Sequence, residues 1–147
     1  MTMFSLSKNF NKLNIGLSAT LENVDKATEE TKRFLSAVGV EEESFEIILA
    51  LREALINAVV HGCGKDSQKT VTYNLTLQAD YLTIEVEDEG CGFEWRSSLN
   101  KDLPSTEACG RGVAIMKRYS SQITYNEKGN RVLLTKRLKR EATFHPP

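Results

Sequence analysis

One segment of the sequence combines an apolar surface with a narrow row of polar side chains. The stretch "LREALINAVVHG" carries Glu53, Asn57 and His61 at intervals of four, so on an α-helix these three side chains stack on one face. The row continues upstream through Ala50 and Glu46. A buried carboxylate without a partner is costly, so we expect the row to face a cavity, water or a ligand. A helix edge open to solvent, or a row satisfied by neighbouring backbone, would also produce this pattern.

A second motif, "DEGCGF", follows a stretch of alternating apolar residues that predicts a strand. Asp88 is an acceptor-only carboxylate that could take a hydrogen bond from an exocyclic amine. Gly90 and Gly92 would let the backbone approach a ligand closely. Asp-Glu-Gly is also ordinary turn chemistry, so this motif alone does not decide between a turn and a binding site.

A third motif, "GRGVAIM", places Gly110 and Gly112 at the predicted start of a short helix. Free backbone N–H groups at a helix N-terminus bind phosphate, and the helix dipole favours the negative charge. Arg111 could add a charge-assisted hydrogen bond. The alternative is a flexible hinge that leads into the helix.

The elements around these motifs predict an α+β fold. Alternating apolar residues predict a first strand near residues 13–17, followed by a helix over residues 21–38 with N-cap candidates in "SAT" and Gly39 as its C-cap. A second helix runs to His61, a β-hairpin with a "QAD" turn follows, and a helix over residues 112–120 precedes two closing strands. This order predicts a two-layer sandwich: a mostly antiparallel mixed sheet with about three helices on one face.

Composition limits the possible classes of protein. The 147 residues are expected to form a single domain with a core at about residues 10–138 and a short tail at 139–147. With 19 basic and 20 acidic residues the net charge is -1, so nothing calls for nucleic acid or a membrane surface as partner. No window approaches the roughly 18 apolar residues of a transmembrane helix, and no secretory signal is evident, so we expect a cytoplasmic protein. Three cysteines without CxxC spacing argue against a disulfide framework and a zinc site.

Taken in order, the three motifs resemble those of a known family. Glu-x-x-x-Asn on a buried helix, then D-x-G-x-G after a hairpin, then G-x-G opening a helix, closely resembles the GHKL ATPase superfamily and its Bergerat nucleotide-binding fold. The resemblance covers about residues 10–138. A free-standing domain of this size with "GRGVAIMKRYSSQITY" at its second glycine motif is similar to the anti-sigma-factor serine/threonine kinases.

The resemblance implies a role for each motif. Glu53 matches the family's general base, Asn57 its Mg²⁺ ligand within the ATP site, and Asp88 the carboxylate that binds the adenine amino group. Gly90 and Gly92 match the glycines that approach the nucleotide. The resemblance further implies that the triphosphate is bound by Gly110, Arg111, Gly112 and Val113, that residues 99–109 form a lid over ATP, and that Thr135 lies near the adenine. The implied cofactors are ATP and Mg²⁺.

The implied function is that of an anti-sigma factor that is also an ATP-dependent protein-serine/threonine kinase. Such a protein binds a sigma factor and phosphorylates an anti-anti-sigma antagonist, commonly as a homodimer. The alternative is an ATP-binding regulatory module that sequesters a partner with little phosphoryl transfer. A histidine-kinase catalytic domain is disfavoured because the chain supplies no phosphoacceptor helix. The role of His61 stays open, as does that of Cys63, Cys91 and Cys109, which fall within or beside the three motifs.

Overall fold

The computed structural model of the chain describes residues 2–90 and 108–139. Within these ranges it contains six strands, three α-helices and one π-helical segment that continues the second helix. In chain order the elements are β1 (Phe4–Lys8), β2 (Lys12–Ser18), α1 (Leu21–Ala37), α2 (Ser44–Ile56), the π-helical segment (Asn57–Gly62), β3 (Thr70–Gln78), β4 (Tyr81–Asp88), α3 (Ala108–Tyr119), β5 (Gln122–Tyr125) and β6 (Arg131–Arg137).

The strands form one sheet in the order β1-β2-β3-β4-β6-β5. Every pairing between described strands is antiparallel. The sandwich predicted from the sequence is therefore confirmed, with β1 as an addition. This strand alternates apolar residues with serine in "FSLSK", but it lies at the sheet edge and is largely exposed. So short an alternation is a weak signal on its own, and pairing with β2 makes it a strand.

The helices cover one face of the sheet because the strands alternate apolar and polar side chains. On β2, Leu13, Ile15 and Leu17 are fully buried and pair with buried residues of β3, whereas the intervening Asn14 is exposed. α2 packs between α1 and α3. The opposite face of the sheet carries mainly polar residues, among them Thr72, Asn74 and Glu85.

The ends of α1 follow from local chemistry. The Thr20 hydroxyl accepts a hydrogen bond from the Asn23 N–H at 3.1 Å, which caps the first turn. At the other end Gly39 has φ +82°, and its N–H donates to the Ser36 carbonyl while the Val40 N–H donates to the Leu35 carbonyl. These two bonds form a Schellman motif, which confirms Gly39 as the residue that ends the helix.

α2 is buried along the side that faces α1 and the sheet. Ile47, Leu51 and Leu55 are at most 2% exposed. The first turn of α2 is open to solvent, where Phe45 is 75% exposed. In the described ranges, no helix is both long enough and apolar enough to cross a membrane.

Candidate functional site

The helix that carries the polar row changes its winding at Asn57. In the π-helical segment the Cys63 N–H donates to the Ala58 carbonyl at 2.9 Å, one residue further back than in an α-helix. Asn57, at the start of this segment, is buried, whereas His61, in its last turn, is exposed. His61 therefore does not share the buried environment of Asn57, and its role stays open.

Asn57 is a buried polar residue whose amide is only partly satisfied. It is 9% exposed, and its Nδ2 has no hydrogen-bond partner among the described residues. Buried side-chain amides in folded proteins are normally bonded, so an unbonded one that lines a cavity indicates a missing polar partner. Asn57 lines such a cavity between α2 and the sheet.

Asp88 ends β4 on the helix-covered face of the sheet, in register with the buried Val71. It is 8% exposed, and its Oδ1 accepts a hydrogen bond from the Gly90 N–H at 2.6 Å. Burial raises the pKa of the Asp88 carboxyl, and the Gly90 N–H and the positive charge of Lys128 offset that rise only in part. No described group donates to Oδ2, so the side chain keeps an acceptor for a ligand.

Two glycines pack against each other and against this carboxylate. A Cβ on Gly90 would overlap the backbone carbonyl of Gly62, and it would lie 2.8 Å from Asp88 Oδ1. A Cβ on Gly62 would lie 2.5 Å from Asp88 Oδ1 and would also overlap the other carboxylate atoms. Gly90 was predicted as a close-approach glycine. Gly62 was not assigned a site role. The first glycine in "HGCG" at the end of an apolar helix is the one local signal that another part of the backbone could approach closely there.

If the cavity binds ATP, as the resemblance of the motifs implies, replacing Gly62 with alanine should weaken that binding, because the new methyl group must displace the Asp88 carboxylate. Overpacking of this kind costs about 1–3 kcal/mol, and we expect the dissociation constant for ATP to rise about tenfold. Calorimetric titration with ATP measures the change. The matched control is Gly16→Ala on the open face of the sheet, where the added methyl meets only the Ser5 hydroxyl at 3.1 Å and a flexible methionine. Equal ATP affinity in both variants would contradict the assignment.

Asn57, Asp88 and Gly62 line one open pocket, and the space of about 330 Å³ assigned to it includes solvent at its mouth. Asn57 lies on its helix wall and Asp88 on its sheet wall, while Met116 of α3 closes a third side. The remaining lining residues are Ala54, Ala58, Gly62, Val86, Tyr125, Gly129, Asn130, Arg131 and Val132. Met116, Tyr125 and Asn130 were not predicted, since they join the cavity only through long-range packing.

The other predicted residues fall into two groups. Glu53 is partly buried on α2, one turn before Asn57, and does not line the cavity as bounded by the described residues. Gly110, Arg111, Gly112 and Val113 occupy the first turns of α3, which begins at Ala108 rather than at Gly112. The side chains of these four residues are not described, and Gly92 and residues 99–107 lie outside the described residues.

Of the three cysteines, only Cys63 has a described side chain. It is buried beside Gly62, and burial raises the pKa of its thiol. Cys91 lies outside the described residues, and Cys109 lies in the first turn of α3.

Thr135 is not brought to this cavity. It pairs with Thr83 and Gln122, and its neighbour Lys136 points to α2, where its ammonium contacts Glu46 at 3.0 Å. Since side chains alternate along a strand, Thr135 lies on the opposite face of the sheet. The turn before β6 instead supplies Asn130 to the cavity, and the Asn130 Nδ2 donates to the Asp88 carbonyl at 2.8 Å.

Comparison with known proteins agrees with this geometry. Residues 17–136 match the family model described as a histidine kinase-like ATPase domain. The chain is 29% identical over 136 residues to an anti-sigma F factor of Clostridium perfringens, covering 87% of this chain and 97% of the relative. It is 29% identical over 136 residues to an anti-sigma F factor of Bacillus licheniformis (87% and 93%) and 27% identical over 143 residues to one of Oceanobacillus iheyensis (92% and 98%). Because the family model spans most of the sequence, the chain belongs to the histidine kinase-like ATPase domain family.

Proposed function

We propose that this protein is an anti-sigma factor with ATP-dependent protein-serine/threonine kinase activity. Its partners would be a sigma factor, which it binds, and an anti-anti-sigma antagonist, which it phosphorylates, in the cytoplasm and as a homodimer. The observation that carries the proposal is the pairing of an unsatisfied Asn57 amide with a buried Asp88 carboxylate on opposite walls of one cavity. The names of the relatives support the sigma-factor role.

The sheet wall is suited to an adenine base. Asp88 Oδ1 is held by the Gly90 N–H, which leaves Oδ2 as an acceptor for an exocyclic amine. Val86, Met116 and Val132 add apolar surface around it. A flat base with one donor edge suits this lining, because its rings would replace water against the apolar side chains and its amine would satisfy the carboxylate.

The helix wall is suited to Mg²⁺ held between protein and phosphates. The described residues contain no cluster of three His, Cys, Asp or Glu side chains that could hold a metal ion by themselves. Mg²⁺ commonly keeps several waters and takes few protein ligands beside substrate phosphates. The Asn57 amide oxygen could be such a ligand, with the Nδ2 group left to donate to a phosphate or water. When bound, the ion would neutralise charge on the phosphates.

Glu53 is the proposed base. It precedes Asn57 by one helical turn, so its carboxylate projects from the same side of α2. There it would accept the proton of the attacking hydroxyl, and the backbone N–H groups of the first turn of α3 would bind the phosphates. Gly92 and the segment 99–109 complete the proposed nucleotide site, as a close-approach glycine and a lid.

Phosphoryl transfer tests the proposal directly. Purified protein is incubated with Mg-ATP and with antagonist proteins that carry an acceptor serine or threonine, and phosphorylated product is identified by mass spectrometry. Transfer to a serine or threonine supports the kinase proposal. ATP binding together with partner binding, but without transfer to any antagonist tested, would favour the regulatory module instead. Absence of ATP binding would refute the nucleotide site itself.

A further inference from the structure

The turn between β5 and β6 is organised by one side chain that does not line the cavity. Asn126 Oδ1 accepts three backbone hydrogen bonds, from the N–H groups of Gly129, Asn130 and Arg131 at 2.8, 3.1 and 3.2 Å. Gly129 adopts φ +83°, a conformation that allows these donors to converge. A single amide oxygen therefore fixes the path of the segment that forms one wall of the cavity.

These three bonds also determine which way the Asn126 amide points. Because its oxygen faces backbone donors, its Nδ2 must face the other way, where it donates to Asn130 Oδ1 at 2.7 Å. Asn130 then has its own Nδ2 free to donate to the Asp88 carbonyl at 2.8 Å. The Asp88 N–H in turn donates to the Asn130 carbonyl at 2.9 Å. The two side-chain bonds therefore run in one direction, from Asn126 through Asn130 to the Asp88 carbonyl, and the backbone bond from Asp88 holds the same two residues together.

We propose that Asn126 is a positioning residue for base recognition, which acts through Asn130 on the Asp88 carboxylate. This inference rests on the proposed nucleotide site. These hydrogen bonds attach Asp88, the last residue of β4, to the turn. The Asp88 carboxylate therefore cannot shift along the strand relative to the cavity. Discrimination between bases with an amine and bases with a carbonyl at the same position requires such a fixed acceptor, because a displaced carboxylate could be bridged by water.

Asn126→Asp separates this role from a general structural one. An aspartate keeps an oxygen acceptor for the three backbone N–H groups, so the turn should be retained. It removes the Nδ2 donor, however, and places a carboxylate oxygen against Asn130 Oδ1. Two acceptors then oppose each other, and the Asn130 amide must rotate and turn its own oxygen toward the Asp88 carbonyl. The Asp88 carbonyl would then face an oxygen instead of the Asn130 Nδ2 donor, and this hydrogen bond would be lost.

The experiment compares ATP and GTP binding by calorimetric titration in the wild-type protein, Asn126→Asp and a charge control. Asn14→Asp serves as the control, since it makes the same chemical change at an exposed position on the open face of the sheet. We expect Asn126→Asp to weaken ATP binding about tenfold, the usual effect of losing one hydrogen bond, with much less change in the binding of GTP. The bonds affected, from Asn126 to Asn130 and from Asn130 to the Asp88 carbonyl, are partly buried. The loss should persist at high salt, where a mere charge effect would be screened.

The outcomes distinguish the inference from the proposed function. If the wild-type protein binds ATP in preference to GTP and Asn126→Asp keeps that preference, the inference is wrong and the nucleotide site stands. If Asn126→Asp weakens the binding of ATP and of GTP equally and also lowers the thermal stability, Asn126 has a structural role only. That result would also overturn the inference. A wild-type protein that binds neither nucleotide would remove the proposed function and this inference with it.

Discussion

Replacing Glu53 with glutamine should slow phosphoryl transfer to the antagonist by about 100- to 10,000-fold, the usual contribution of a positioned general base. The substitution keeps the size of the side chain and its capacity to accept a hydrogen bond, but an amide cannot take a proton at neutral pH. ATP affinity should change little, because the proposed base acts on the attacking hydroxyl and not on the nucleotide. Single-turnover measurement of phosphorylated antagonist, beside calorimetric titration with ATP, separates the two effects.

Glu46→Gln is the matched control for this prediction. Glu46 belongs to the same row of α2, but it lies two turns before Glu53 and does not line the cavity. Its carboxylate pairs with the Lys136 ammonium at 3.0 Å. Lys136 also keeps Glu43 as a partner at 3.5 Å, so the local ion pairing survives the substitution. Transfer should therefore proceed at close to the wild-type rate. If Glu53→Gln transfers phosphate as fast as this control, Glu53 is not the base.

Replacing Asp88 with asparagine should weaken ATP binding by about 100-fold, since a hydrogen bond to a charged acceptor is lost and two donors are brought together. The Gly90 N–H fixes the orientation of the new amide, because it requires an oxygen at the Oδ1 position. The Nδ2 group then lies where Oδ2 lay, facing the amine of the base. Calorimetric titration measures the loss. Asp80→Asn, in the turn between β3 and β4 and away from the cavity, provides a partly exposed aspartate for comparison.

The same substitution has an opposite effect on stability. The folded pKa of Asp88 is raised above its unfolded value, so its contribution to stability is present when the carboxyl is protonated. That contribution is lost as pH rises through the raised pKa of Asp88. At neutral pH the ionised, buried carboxylate therefore lowers the free energy of unfolding. Asp88→Asn should therefore be at least as stable as wild type at pH 7. Denaturant unfolding at pH 7 tests this, and marked destabilisation would contradict it.

Sequence reasoning succeeded where the signal is local. The glycine at position 39, the N-cap in "SAT" and the alternation of β2, β3 and β4 each depend on a few neighbouring residues, and the structure confirms them. Asp88 and Gly90 were predicted in the same way, since a carboxylate and a glycine that follow a strand are visible as a motif. Their close approach to the end of α2 is described in the structure.

The residues that were missed or misplaced depend on longer-range geometry. His61 was grouped with the polar row by its spacing, but it lies exposed in the last turn of a π-helical segment, a change of winding that no spacing rule reveals. Thr135 was assigned without knowledge of which face of β6 it occupies, and pairing with β4 places it away from the helices. Asn130 reaches Asp88 across a sequence separation of 42 residues, so only the antiparallel register of β4 and β6 brings it to the site.

The contact between Gly62 and Gly90 has a consequence for how this fold tolerates substitution. Because backbone meets backbone there, the gap between the end of the π-helical segment and the end of β4 does not depend on the size of any side chain. A change of side-chain size elsewhere in the core should therefore leave this end of the cavity at the same width. The contact acts as a spacer whose length is fixed by covalent geometry.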